Sequence, residues 1–267
     1  MAIRRGKPRR VLVLDVGGTH VKMRIGTRGS IREFKSGRKL NAKRMVGQVL
    51  KMTSDWDYDV ISVGFPGVVV HGKIAAEPHN LGTGWIGFDF HAAFAKPVRV
   101  INDAALQAVG SYRGGRMLFL GLGTGLGVTL ILDGVVEPME MGHMPYKHGR
   151  SYEAYVGERG YRRLGTKKWR KVVAQIVEQL SAVLEVDYVV LGGGNVRKLK
   201  TLPKSGSNEH ACPVYLGSNE HACPVYLGSN EHACPVYLGS NEHAFVGGVR
   251  LWEQSAENML VLRGHRR

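Results

Sequence analysis

The chain has 267 residues, 43% of them hydrophobic and 22% charged, a composition that fits a globular protein with one large core or two modest domains. Its formal net charge of +15 favours anionic partners such as nucleic acid, membrane surfaces, polyphosphate or nucleotides. Much of that charge lies at the ends, in Arg4, Arg5, Lys7, Arg9 and Arg10 and in Arg263, Arg266 and Arg267. No aromatic-rich basic stripe accompanies it, so a specific nucleic-acid partner is not expected. The apolar run Val11–Leu14 is too short for a signal peptide or a membrane span, which makes a cytoplasmic protein with no membrane partner the expectation.

In chain order, Val11–Leu14 is predicted as a buried strand, with Val21–Ile25 as its hairpin partner across a glycine turn. A helix is expected over Lys43–Met52, a strand over Val60–Val63 before a Gly-Phe-Pro-Gly turn, and a strand over Val98–Ile101. Met117–Leu120 and Val128–Leu132 form a second predicted hairpin. Lys168–Leu184 carries Val172, Val173, Ile176, Val177, Leu180, Val183 and Leu184 at helical spacing, and is therefore an amphipathic helix. Tyr188–Leu191 is a last buried strand. Strands that end in glycine loops in both halves indicate an α/β protein binding phosphates at strand ends.

One segment departs from this pattern. GSNEHACPVYL occurs three times in succession at 206–216, 217–227 and 228–238, and a fourth copy begins at Gly239. Identity at every position is unlike a solenoid. The repeats hold all three cysteines, Cys212, Cys223 and Cys234, so no disulfide or cysteine-zinc framework supports the rest. A metal array is one reading of the His, Glu and Cys in each unit. An insertion in a surface loop is the other, because loops tolerate length at small entropic cost.

Three glycine loops are candidates for binding phosphate. In the first, Asp15 is followed by Gly17, Gly18 and Thr19, with Lys22 beyond. Glycine lets backbone N–H groups approach an anion, Thr19 adds a donor, and Asp15 would hold Mg²⁺ through water. A plain hairpin turn is the alternative. The second places Gly123, Thr124, Gly125 and Gly127 between two apolar runs. It lacks the Gly-Lys-Ser/Thr of a P-loop and leads into a strand. The third is Gly192, Gly193 and Gly194, followed by Asn195 and the basic residues Arg197, Lys198 and Lys200.

Asn102 and Asp103 stand at the mouth of the Val98–Ile101 strand. Phosphoryl transfer to an alcohol needs a carboxylate within reach of the hydroxyl, and Asp103 fits that role of base. Asn102 would grip a neighbouring hydroxyl. Helix capping is the competing reading for both. Further on, Glu140, His143 and Glu153 are candidates for binding sugar hydroxyls, and the spacing of Glu140 and His143 also admits a metal.

With these residues in view, the sequence resembles the ROK family of sugar kinases (repressors, open reading frames and kinases), within the actin-like superfamily, and most of all its polyphosphate glucokinase-like branch. The resemblance rests on LDVGGTHVK, VGFPGVV, WIG, VINDAA, LGTGLG, EMGH, SYEAYVG, VVLGGGN and AFVGGVRLW, in family order and across nearly the whole chain apart from the repeats. It implies two actin-like (ribonuclease H-like) α/β lobes with an interlobe cleft. The N-terminal lobe would span 1–103, completed by a C-terminal helix at 245–267. The other lobe would span 104–244 and contain the repeat insertion at about 206–238.

The resemblance implies that Asp103 is the catalytic base acting on the 6-hydroxyl of glucose, and that Asn102, Glu140, His143 and Glu153 are sugar ligands. The Asp15–Thr19 and Gly123–Gly127 loops become the two phosphate motifs, and Gly192–Gly194 the adenosine or distal-phosphate motif. It further implies Mg²⁺, ATP or inorganic polyphosphate as donor, glucose or a related hexose as acceptor, and a homodimer. Many ROK kinases have a Cys-rich zinc motif after the histidine. Here Met144–Arg150 holds no cysteine, so no structural zinc is expected. A kinase for another hexose or an N-acetyl amino sugar, or a non-catalytic sugar-binding protein, is the alternative. A DNA-binding repressor is not expected, since the fourteen residues ahead of Asp15 are too few for a helix-turn-helix.

Overall fold

A computed structural model describes residues 9–199, 225–227, 234–253 and 261–262. The chain divides into two compact units. The first runs to Gly110 and resumes at Ala244, and the second spans Ser111–His243 and takes in Val261 and Leu262.

The first unit opens with β1 (Val11–Val16), β2 (His20–Ile25) and β3 (Arg32–Lys35), an antiparallel meander. Helix α1 (Ala42–Met52) follows, its first turn capped by the Asn41 side chain, which accepts from Arg44 N. Next come β4 (Val60–Phe65), a small ribbon of β5 (Val69–Val70) and β6 (Lys73–Ile74), the short α2 (Phe90–Phe94), β7 (Val98–Asn102) and α3 (Asp103–Ser111). The strand order is β3-β2-β1-β4-β7, with β4 parallel to both β1 and β7. Residues buried on the two faces of a parallel strand read as a continuous apolar run, and β4 is buried at every position.

The second unit repeats that topology. Strands β8 (Arg116–Leu122), β9 (Leu126–Leu132) and β10 (Val135–Met139) form a meander. After α4 (Tyr152–Val156) and α5 (Glu158–Leu184), β11 (Tyr188–Gly192) lies parallel to β8. Strands β12 (Val225–Leu227) and β13 (Cys234–Leu238) come from successive copies of the repeat. β13 runs parallel to β11, and β12 lies antiparallel outside it. The rest of the three complete copies, with Cys212 and Cys223, lies outside the described residues. Helix α6 (His243–Arg250) returns to the first unit, and β14 (Val261–Leu262) pairs with β10.

Two packing details differ from the sequence expectation. In α5 the buried stripe is Trp169, Val173, Ala174, Ile176, Val177 and Leu180, while Val183 is 77% exposed. The helix also begins earlier than predicted, at Glu158, and is interrupted at Gly165, whose φ of 70° is non-helical. The C-terminal helix ends at Arg250, and of the expected 245–267 span residues 254–260 and 263–267 lie outside the described residues.

Helix α6 explains a motif that the sequence left without a role. A Cβ at Gly247 would stand 1.9 Å from Leu106 O of α3, and one at Gly248 would stand 2.4 Å from Val13 of β1. The two adjacent glycines let α6 seat directly on α3 and on the sheet. Ser62 Oγ, buried in β4, donates to Gly248 O at 2.6 Å and so ties the same contact.

Candidate functional site

The first unit gathers its candidate residues through parallel register. Asp15 pairs with Gly64, and Phe65 with Asn102, so the ends of β1, β4 and β7 share one edge of the sheet. Ligands of open α/β sheets bind outside such carboxyl ends. Asp15 is half-buried, and that burial pushes its carboxyl up to about 6, opposed by Lys22, its cross-strand partner in β2.

The turn from Gly17 to Thr19 is tied down on both sides. Gly17 N donates to His20 O at 2.9 Å, Ser36 Oγ donates to Gly17 O at 2.6 Å, and Ser36 N donates to Thr19 O at 2.9 Å. A Cβ at Gly18 would stand 3.2 Å from the side chain of Asn80. The Thr19 side chain is exposed.

Asn102 and Asp103 sit where β7 becomes α3. The Asn102 side chain caps that helix: its Oδ1 accepts from Ala104 N at 3.0 Å and Ala105 N at 3.1 Å. Its Nδ2 donates to Gly67 O at 3.1 Å, which leaves one amide hydrogen for a ligand. Asp103 Oδ1 accepts from Ala104 N at 2.8 Å, within the helix's first turn. Gly64 makes the approach of this helix possible, since a Cβ there would meet Leu106 Cδ2 at 2.6 Å. Capping and a catalytic position are thus not exclusive: Asn102 does the first and holds Asp103 at the sheet edge.

In the second unit, two segments converge on the turn between β8 and β9. Gly123 O and Thr124 O accept from Glu158 N at 2.9 and 3.3 Å. Asn195 N donates to Leu122 O, and Asn195 Nδ2 donates to Gly123 O, each at 2.9 Å. Gly193 has a φ of 83°, and a Cβ on it would stand 2.5 Å from Leu122 O. The second and third glycine loops, 70 residues apart in the chain, are therefore packed backbone to backbone.

Glu153 belongs to the same cluster, because a Cβ on Gly125 would fall 2.5 Å from its Oε2. The 3₁₀ turn Met141–His143 backs onto Leu126, with room for no side chain at Gly142, where a Cβ would stand 2.6 Å from Leu126 O. His143 Nε2 lies 3.4 Å from Glu140 Oε2, an ion pair when the imidazole is protonated, and both side chains are exposed.

Lys198, one of the basic residues marked in the sequence, is spent internally. Lys198 Nζ and Arg162 Nε donate to Glu158 at 2.8 and 3.0 Å and hold its carboxyl down at about 2. Arg170 donates to Lys198 O at 2.9 Å through Nε. Lys167, Lys168 and Lys171 remain exposed on α5, and Lys200 lies outside the described residues. Sequence reasoning passed over Glu158 and named Asn195 without a role, because their value is in contacts to chain segments far away.

Among the described residues no group of three His, Cys, Asp or Glu side chains stands together. A Mg²⁺ ion is commonly held by one or two carboxylates plus substrate phosphates and water, so the lone Asp15 carboxylate beside a glycine turn fits that ion.

No protein-family model matches the chain. Among curated proteins it is 26% identical to a polyphosphate glucokinase of Mycobacterium tuberculosis over 152 residues, 52% of this chain and 57% of that one. It is 26% identical to an N-acetylmannosamine kinase of Haemophilus influenzae over 144 residues, 48% of each. The chain thus spans about half the length of these curated relatives. Among solved structures it resembles a ROK family glucokinase from Streptomyces griseus in complex with glucose and AMPPNP. The TM-score is 0.67 at 15% identity, over 91% of this chain and 98% of that one. The chain has the fold of the ROK sugar kinases. The turn between the first and second strands is the Asp15–Thr19 loop in one unit and the Gly123–Gly127 loop in the other, and of the motifs quoted from the sequence SYEAYVG and AFVGGVRLW lie on α4 and α6.

Proposed function

We propose that the chain is a sugar kinase that transfers a phosphoryl group from polyphosphate or ATP to the 6-hydroxyl of glucose. The observation that carries this reading is the shared edge of β1, β4 and β7, where register sets Asp15 and the Asn102–Asp103 pair at the ends of the two parallel strands that flank β4. Asp103 accepts the proton of the 6-hydroxyl as that oxygen attacks the terminal phosphorus. The new O–P bond forms as the bridging P–O bond breaks, releasing ADP or a polyphosphate one unit shorter. Asn102 holds the start of α3 and offers its remaining amide hydrogen to the sugar. Glu140, His143 and Glu153 take the other hydroxyls, and the contact of Glu153 with Gly125 joins sugar recognition to a phosphate loop. Bound Mg²⁺, held by Asp15 through water, would neutralise charge on the phosphates.

The backbone amides of Gly17–Thr19 and Gly123–Gly127 bind the donor's phosphates, and Gly192–Gly194 the adenosine or the distal phosphates. Exposed Lys167, Lys168 and Lys171 favour a polyanion. The curated polyphosphate glucokinase supports the same donor. An N-acetyl amino sugar is the second reading for the acceptor, favoured by equal identity to the N-acetylmannosamine kinase. The protein is proposed to work as a cytoplasmic homodimer.

The test is a coupled assay for glucose 6-phosphate with ATP and with polyphosphate, on wild type and Asp103→Asn, with N-acetylmannosamine as a parallel acceptor. Asp103→Asn should lose about 10²–10⁴-fold in kcat while its circular dichroism is unchanged. Full activity in that variant would remove Asp103 as the base. A wild type inactive with both donors on every sugar would remove the kinase reading.

A further inference from the structure

The loop from Glu77 to Ile86 has neither a helix nor a ladder to satisfy its backbone, yet Trp85, near its end, is fully buried. One carboxylate organises it. Glu77 Oε1 accepts from Gly84 N at 3.0 Å, Trp85 N at 3.2 Å and Ile86 N at 3.4 Å, and its Oε2 accepts from Trp85 N at 3.3 Å. Hydrogen bonds to an ionised acceptor are the strong ones, and losing this acceptor would unpair the N–H of buried Trp85 and release the exposed Gly84 and Ile86 N–H groups to solvent.

The loop so closed touches the candidate site at two places. At one end Asn80 rests on Gly18 of the first glycine turn, 3.2 Å from where a Cβ would stand. At the other the Trp85 ring packs on Phe65, with centroids 5.2 Å apart, and Trp85 Nε1 donates to Gly82 O at 2.8 Å. Phe65 is the register partner of Asn102, and its ring fills the space beside Gly67, whose carbonyl receives Asn102 Nδ2. Gly82 fixes the middle of the loop: its N donates to Leu40 O at 2.8 Å.

We propose that Glu77 is a positioning residue, which clamps the 77–86 loop so that Asn80 buttresses the Gly17–Thr19 turn and Trp85 braces the Phe65–Asn102 pair. It touches neither donor nor acceptor, and acts on both through the loop. Its kinetic consequence rests on the kinase reading above, whereas the clamp itself does not.

The experiment therefore has two arms, run on wild type, Glu77→Ala and Glu77→Gln. In amide hydrogen exchange, Glu77→Ala should speed exchange about tenfold or more in peptides covering 14–20 and 100–106, because both segments lose their brace. Peptides covering 118–128 in the second unit should be unchanged. Glu77→Gln keeps an acceptor oxygen and should restore most of the protection. Unchanged exchange at 14–20 and 100–106 overturns the proposal, and so does an equal rise throughout the chain, which would mark a residue that only stabilises the fold. In the kinetic arm, Glu77→Ala should lose about 10²-fold in kcat per folded molecule, the effect of misplacing reacting groups by about 1 Å. A kcat within twofold of wild type overturns the catalytic consequence. If wild type phosphorylates nothing, the kinase reading fails and the exchange arm still decides the clamp.

Discussion

The two units share an order of five strands, a three-stranded meander followed by two parallel strands, to which the second adds β12 and β14 at its edges, and each places a glycine turn between its first and second strands. The turns are ordered by different means. The Gly17–Thr19 turn leans on side chains from outside it, Ser36 and Asn80, and has a carboxylate, Asp15, at its root. The Gly123–Gly125 turn is held chiefly by main chain and by one amide: Glu158 N and Asn195 reach its carbonyls, and Gly193 and Gly157 lie where no Cβ would fit. One topology thus accommodates a turn that responds to its side-chain neighbours and a turn locked by close backbone approach. Ordering glycine is entropically costly in both cases, so each turn needs external bonds to hold its shape.

Substitutions can separate the two designs. The largest effect is expected at Gly247→Ala. Its Cβ would stand 1.9 Å from Leu106 O, a backbone atom that cannot rotate away, so α6 must lift from α3. Overpacking of this kind costs about 1–3 kcal/mol and sometimes more, and the upper end is expected here. Differential scanning calorimetry should show the loss, and exchange should rise in the first unit around β1 and α3.

Gly193→Ala comes next, at about 1–3 kcal/mol for its left-handed backbone and the crowding of Leu122 O together, since the approach of 2.5 Å there is less close than the 1.9 Å at Gly247. Denaturant titration would measure it, and protection should fall at 120–127 while 14–20 keeps its own. If 14–20 loosened equally, the two turns would not be independently ordered.

The smallest effect is expected from the Glu158 ion pairs, which lie near the surface. Lys198 and Arg162 hold that carboxyl at about 2, below its ordinary 4.5, so the stabilisation is fully present above about 4.5 and disappears as pH falls toward 2. The difference in melting temperature between wild type and Glu158→Gln should accordingly shrink across that window. A difference that grows on acidification would contradict the assignment.

Much of this was legible in the residues. The runs at Val11, Val60, Val98, Met117, Val128 and Tyr188 all proved to be strands, because a buried strand needs a short, mainly apolar stretch and little else. Strand β3, with sequence Arg-Glu-Phe-Lys, escaped notice because an edge strand shows only alternation, here over four residues. Helix α3 was half seen. Asn102 and Asp103 could be read as a cap or as a site, and the hydrogen bonds of Asn102 show that the cap is real. Val183 was assigned to the wrong face, because helical spacing marks a stripe about a hundred degrees wide and only packing decides its margins.

What the sequence determined by itself is local: which stretches are strands, where the glycine turns fall, and that Asp15, Asp103, Glu140, His143 and Glu153 are the polar residues to weigh. Its motifs also carried the resemblance to the ROK kinases, with whose fold the structure agrees. What tertiary structure decided is the company those residues keep. Parallel strands can pair only after a long crossover, so nothing near Asp15 in the chain foretells that Gly64 will lie beside it, or Phe65 beside Asn102. Glycine, lacking a side chain, gives no sign of which backbone it will admit. For that reason the contact of Gly193 with Leu122, the seat of Gly247 on Leu106 and the clamp of Glu77 appear only once the chain is folded.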